Sequence, residues 1–215
     1  FLIYMNNCLN IYKKNSNVGH VSAWQIVNDL DCTNNRTIFW PYVENGGGWA
    51  TWKDRWQLLQ YYSSEKEALN SITEKQFEKI IKFNHEDSLG SLKLNPIPWD
   101  ICWYITMIKH DYLSVNPMKS LTRNIGLYSG SHFNSNRLFY QSKYETQIYH
   151  KNDMEYSMDI VEDEIACSKL FRFFYSATDK ETVLYIILFQ LKTFLTRAKR
   201  KIINTAKRML KKCGI

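Results

Sequence analysis

Residues 46–56 read Gly46-Gly47-Gly48-Trp49-Ala50-Thr51-Trp52-Lys53-Asp54-Arg55-Trp56, and the way this stretch folds decides the architecture around it. Three consecutive glycines let a backbone turn tightly and approach a neighbour closely, because no Cβ stands in the way. The indoles that follow offer flat apolar faces. Trp49, Trp52 and Trp56 also recur at helical spacing, so the same residues suit the buried stripe of a helix. Core positions are expected for Trp52 and Trp56, whereas Trp49, adjoining glycine, is expected to shape a pocket together with Gly46, Gly47 and Gly48. Asp54 and Arg55 read as a solvated or structural pair. Glu44, just ahead of the glycines, is a loop carboxylate that either accepts hydrogen bonds from ligand hydroxyls or faces water.

Outward from this loop, all seven tryptophans fall between Trp24 and Trp103, which marks that region as a dense core or a ligand cleft. Residues 1–12 place Leu2, Met5, Leu9 and Tyr12 at a helical period, and 18–24 and 37–42 read as strands. Residues 52–62 look helical. A second helix is expected over 71–83, with a capping-box pair Ser71 and Glu74 at its start. Pro96 and Pro98 fix the approach to a helical pattern over 99–109, and 113–115 is a short strand running into Pro117. Asp100 then sits near a helix N-terminus, where the dipole favours a carboxylate. Residues 141–182 are polar, acidic and weakly patterned, and are expected to pack loosely. The order of elements predicts an α/β fold.

The net charge of +7 is unevenly spread. Residues 183–215 hold nine basic and no acidic side chains, leaving nineteen basic against twenty-one acidic in the body. A basic terminal appendage follows, and a nucleic-acid partner is not expected. The apolar positions of 183–210, from Leu184 to Met209, recur on one face of a helix with Lys and Arg opposite. Its purely apolar start covers seven residues, far short of the roughly 20 that span a bilayer, so this helix is expected to lie on an anionic membrane surface. Five widely spaced cysteines without a C-x-x-C pair read as reduced cytosolic thiols, and the residues from Phe1 onward show neither the charged start nor the cleavage pattern of a signal peptide.

Taken in order, FLIYMNNCLNIY (1–12), 18–24, GGGWATWKDRW, PWDICWY (98–104), 113–117 and NIGLYSGSH (124–132) resemble bacterial glycosyltransferases of GT-A fold in the sugar-nucleotide transferase superfamily. Ser22-Ala23-Trp24 followed by the Gly-Trp loop and the Trp99-Asp100 element is also similar to the eukaryotic N-acetylglucosaminyltransferase that begins hybrid N-glycans. The likeness covers about residues 1 to 160. It implies the acceptor-side, C-terminal portion of a Rossmann-like GT-A domain over 1–140, an extension over 141–182 and a basic amphipathic helix over 183–215. In such enzymes a Glu-Asp-Asp motif precedes the stretch corresponding to FLIYMNN, so the chain is expected to start just after its metal motif.

The resemblance further implies metal-dependent transfer of a sugar from a nucleotide-sugar donor to a glycan or lipid-linked acceptor, with inversion, at the cytoplasmic face of a membrane. Asp100 falls where the family's Trp-Asp element places its general base; a helix N-cap is the other role open to it. Glu44 and residues Gly46 to Trp49 would bind the acceptor, Trp49 stacking on a sugar ring. His132 corresponds to a position that can complete a Mn2+ or Mg2+ shell. His150, Asp159 and Asp163 are expected to serve packing. A non-catalytic carbohydrate-binding or membrane-peripheral assembly protein is the alternative.

The basic tail yields a direct test. Deleting residues 183–215 should release the protein from anionic vesicles, and salt should weaken binding of the intact chain, each Lys or Arg contributing on the order of 1 kcal/mol. Equal sedimentation with vesicles with and without the tail would leave the helix as a packing element.

Overall fold

The computed structural model describes residues 1–27, 30, 35–43, 47–83, 90–125, 148–150 and 153–175. Two compact units divide the chain, Phe1–Phe171 and Arg172–Ile215, and the second is described only to residue 175. Among the described residues the first unit is built on a four-stranded mixed sheet, β1 (Val18–Ser22), β2 (Thr37–Trp40), β3 (Trp49–Ala50) and β4 (Leu113–Pro117), in the order β2-β4-β1-β3. The helices are α1 (Leu2–Ile11), α2 (Lys53–Trp56), α3 (Glu65–Asn70), α4 (Glu74–Lys82), α5 (Trp99–Lys109) and α6 (Glu164–Tyr175). The chain is therefore α/β. No helix among the described residues is long and apolar enough to cross a membrane.

The two central strands, β1 and β4, run parallel, with His20 opposite Ser114 and Val21 opposite Val115 and a register shift between Val18 and His20. Every residue of both is buried, as expected of parallel strands covered on both faces. Val18, Val21, Leu113 and Val115 join Tyr4, Met5, Cys8 and Tyr12 of the α1 region in one apolar cluster. Ser114 and Asn116 alternate onto the other face. There Ser114 Oγ meets Nδ1 of the buried His20 at 2.8 Å. A second cluster gathers α5 with Tyr62, Ala68, Ile72, Ile80, Leu92 and Ile97. Residues Cys102 to Ile108 of α5 are buried without interruption, the mark of a helix enclosed on all sides.

Helical pattern over 52–62 gives only the single turn Lys53–Trp56. Leu58 and Tyr61 are exposed, so no continuous apolar stripe rewards a longer helix, and Gln60 is instead held by the Thr106 hydroxyl and the Lys109 amine. The capping box is also displaced. Thr73 caps α4, accepting from the Gln76 N–H while the Gln76 side chain accepts from the Thr73 N–H. Ser71 donates instead to the Ala68 carbonyl at the end of α3. Both pairs satisfy the same spacing, and α3 decides between them by claiming Ser71.

Residues 153–163 are bound more closely than their weak pattern predicts. The Thr37 N–H donates to the Glu155 carbonyl at 2.9 Å and the Asp163 N–H to the Phe39 carbonyl at 2.8 Å, covering the outer edge of β2. Tyr12 donates to the Ser157 carbonyl, Tyr156 stacks on Tyr4, and Arg36 pairs with Asp163 at 2.7 Å. Asp163 Oδ1 also accepts from the Ala166 N–H, capping α6. An edge strand needs partners for its outward backbone groups, and periodicity cannot reveal a segment recruited for them.

Arg55 ties α2 to the chain after α1. Its Nη2 donates to the carbonyls of Lys13 and Asn15 at 3.0 and 2.9 Å, its Nη1 to Asp54, and its guanidinium lies 4.6 Å from the Trp52 ring centre. Trp52 in turn donates Nε1–H to the Leu9 carbonyl. Arg55→Leu should destabilise the fold by about 2–4 kcal/mol, since it removes the hydrogen bonds to the Lys13 and Asn15 carbonyls together with the contact over Trp52, and Arg55→Lys by less, since an ammonium keeps the charge and part of the bonding but not the fork. Urea unfolding checks this; a change within roughly 0.5 kcal/mol for Leu would place the anchor elsewhere.

Burial pushes the thiols of Cys8 and Cys167 and the Tyr12 phenol up to about 12. The folded state thus keeps protons that the unfolded chain releases from about pH 9 for the thiols and 10 for the phenol. The stability from these groups is complete below that range and disappears as pH rises through about 12. Denaturation midpoints should fall across this interval, with a shallower slope in Cys8→Ala, and an unchanged slope would remove Cys8 from the effect.

Candidate functional site

The helix that carries Asp100 is aimed by its neighbours. Pro98 occupies the N-cap position with extended backbone, after a cis Asn95–Pro96 bond, and α5 begins at Trp99. After α5 ends, the chain turns through Asp111, at φ 52°, into β4. Eleven helical residues and five strand residues both span about 16 Å, so the first turn of α5 returns to the level of the carboxyl end of β4. Asp100 is therefore not the N-cap. It lies one position inside the helix, half-buried, with Oδ1 accepting from the Ile101 N–H at 2.9 Å.

Three loops converge at this same end of the sheet. The Ala23 N–H donates to the Gly48 carbonyl and the Leu121 N–H to the Ala23 carbonyl. Gln25 donates its amide to the Pro117 carbonyl and receives, on its own N–H, the Ser120 hydroxyl oxygen as acceptor. Thr122 Oγ1 donates to the Gly47 carbonyl by a short hydrogen bond. The loops after β1, before β3 and after β4 are thus one hydrogen-bonded body at the carboxyl edge of the parallel pair, the edge where open α/β sheets bind ligands.

The glycines are required here for two reasons. A Cβ on Gly47 would overlap the Trp24 side chain, and Gly48 holds φ at 94°, which side-chain-bearing residues rarely adopt. Both let the chain enter β3, where Trp49 pairs with Ser22 of β1. Glu44, Gly46 and His132 lie outside the described residues.

Trp49 is the hub of an aromatic cluster. Its ring stacks with His20 at 5.4 Å and 13° and with Trp99 at 5.7 Å and 22°, and is tilted against Trp56 at 5.8 Å and Trp103 at 6.5 Å. Trp56 also meets Trp103 at 5.2 Å. Trp103 is fully buried, and its Nε1 finds no hydrogen-bond partner among the described residues. An unpaired buried donor costs about 1–3 kcal/mol, which the ring contacts must offset. Trp52 is buried away from this cluster, under Arg55, as its spacing predicts. Trp56 departs from the core position expected of it and keeps 37% of its surface exposed; Trp99 keeps 42%. The spacing of Trp99 and Trp103 on one helix was the available signal for a cluster, but nothing in the sequence aligns those two with Trp49 and Trp56.

Of the three residues expected to serve packing, Asp163 does so, committed to Arg36 and the α6 cap, whereas Asp159, beside Ser157, and His150 are exposed. Among the described residues no group of three His, Cys, Asp or Glu side chains comes together to hold a metal.

Compared with protein-family models, with curated proteins and with solved structures, the chain has no match in any of the three.

Proposed function

We propose that this chain is the acceptor-side portion of a GT-A glycosyltransferase, which moves a sugar from a nucleotide-sugar donor to a glycan or lipid-linked acceptor with Asp100 as general base. The observation that carries this reading is the stacking of Trp49, which follows the glycine loop, on the half-exposed Trp99, the residue directly before Asp100 in the first turn of α5. A carboxylate beside an aromatic wall has the parts an acceptor site needs. The rings hold the apolar face of a sugar, and the carboxylate meets a hydroxyl at its rim.

In the proposed reaction Asp100 removes the proton from the acceptor hydroxyl as that oxygen attacks the anomeric carbon. The bond from that carbon to the donor diphosphate breaks on the opposite face, its electron pair leaving with the diphosphate, and configuration inverts. A divalent cation, Mn2+ or Mg2+, would supply the positive charge that stabilises the leaving group. The described residues offer no three-ligand site for it, and His132 is its candidate contact outside them. The basic helix over 183–215 would hold the protein at the membrane surface near lipid-linked acceptors.

The test uses the native polypeptide, with any residues its gene encodes ahead of Phe1, and assays transfer from a panel of nucleotide-sugars in Mn2+. Asp100→Asn should lower kcat by roughly two to four orders of magnitude while donor KM stays nearly constant. Wild-type turnover in the variant would remove Asp100 from the chemistry. Sugar binding without any transfer would favour the non-catalytic carbohydrate-binding protein instead.

A further inference from the structure

The four indoles of the cluster are not equivalent. Trp103 is wholly buried, and Trp49, half-buried, is surrounded by His20, Trp56, Trp99 and Trp103 within 6.5 Å. Both are committed to protein rings. Trp56 and Trp99 retain over a third of their surface and meet each other at 6.2 Å with their planes 67° apart. Two flat surfaces at that angle make an open corner, one face serving as floor and the other as wall. Asp100 follows Trp99 directly in the first turn of α5, so the corner has an anionic neighbour.

The geometry points to the Trp56–Trp99 corner as the seat of the acceptor's terminal sugar, a β-linked pyranose whose H1, H3 and H5 share one face. This rests on the acceptor-site reading above and names the class of sugar it takes. Polarised C–H bonds match the negative face of an indole, and an axial oxygen on that face would be desolvated against carbon with no partner. In methyl β-glucopyranoside and methyl β-galactopyranoside the face bearing H1, H3 and H5 has no axial oxygen. In methyl α-mannopyranoside the axial oxygens at C1 and C2 project from opposite faces, so neither face is clear. Trp49 acts here as a positioning residue, fixing the corner from behind. The nearby carboxylate disfavours an anionic lipid headgroup as the occupant.

The experiment is saturation-transfer NMR on the 215-residue chain with these three glycosides at millimolar concentration. The two β-glycosides should be saturated most strongly at H1, H3 and H5, and the α-mannoside hardly at all. Trp99→Ala and Trp56→Ala should weaken binding about five- to tenfold, while the conservative Trp99→Phe should retain most of it. In a second measurement needing no variant beyond those used for assignment, the indole Nε1–H signals of Trp56 and Trp99 should shift on titration and that of Trp52 should not. Unchanged binding in both alanine variants, equal saturation of the α-mannoside, no saturation of either β-glycoside, or shifts confined to other indoles would each overturn the assignment. Binding at this corner without transfer would leave the corner standing and the transferase refuted. Transfer with an unchanged acceptor KM in Trp99→Ala would do the reverse.

Discussion

The parallel pairing of β1 with β4 constrains everything else in the first unit. Parallel neighbours cannot be joined by a tight turn, so between β1 and β4 the described chain builds β2, β3, α2, α3 and α4 and re-enters beside β1 through α5. Because both strands are buried on both faces, helices must cover each side, and α1 and α5 do so with separate apolar clusters. The return of α5 along the sheet then delivers its first turn to the carboxyl edge. Asp100 and Trp99 arrive there as a consequence of chain direction, together with the loops that leave the two strands.

Polar groups buried in this arrangement are satisfied locally or traded for ring contact. His20 and Ser114 satisfy one another between strands, and Gln25 links the loops that follow β1 and β4 by bonding to Pro117 and Ser120. Arg55, buried, spends its donors on carbonyls rather than on a ligand, and its partner Asp54 is largely exposed and adds little. Among the described residues the buried Nε1–H of Trp103, like that of Trp40, has no hydrogen-bond partner, while the Trp103 ring supports Trp49 and Trp56.

Local pattern was readable wherever one residue type dominates the outcome. The helices beginning at Leu2 and Trp99 and the strands at Val18, Thr37 and Leu113 follow from apolar spacing and from proline placement. The glycines ahead of Trp49 were legible as a close approach, and Gly47 against Trp24 and Gly48 at positive φ supply its two physical reasons. Pattern failed where two equal signals competed. Ser71 and Thr73 both head a capping box, and only the presence of α3 assigns each its role. It failed as well for residues 153–163, whose partner is the bare edge of β2 and whose own composition carries no trace of it.

By itself, the sequence determined the mixed α/β character, the aromatic density before residue 104 and the presence of a carboxylate just inside a proline-led helix, because these depend on residues a few positions apart. Tertiary structure alone decided which indoles meet. Trp49, Trp56, Trp99 and Trp103 come from a strand and two helices as many as 54 positions apart, and their stacking depends on sheet order and on the direction of α5. It likewise decided that Trp52 is core while Trp56 faces outward. In a four-residue helix, burial follows from what each side of the turn packs against, and periodicity over one turn cannot separate the two.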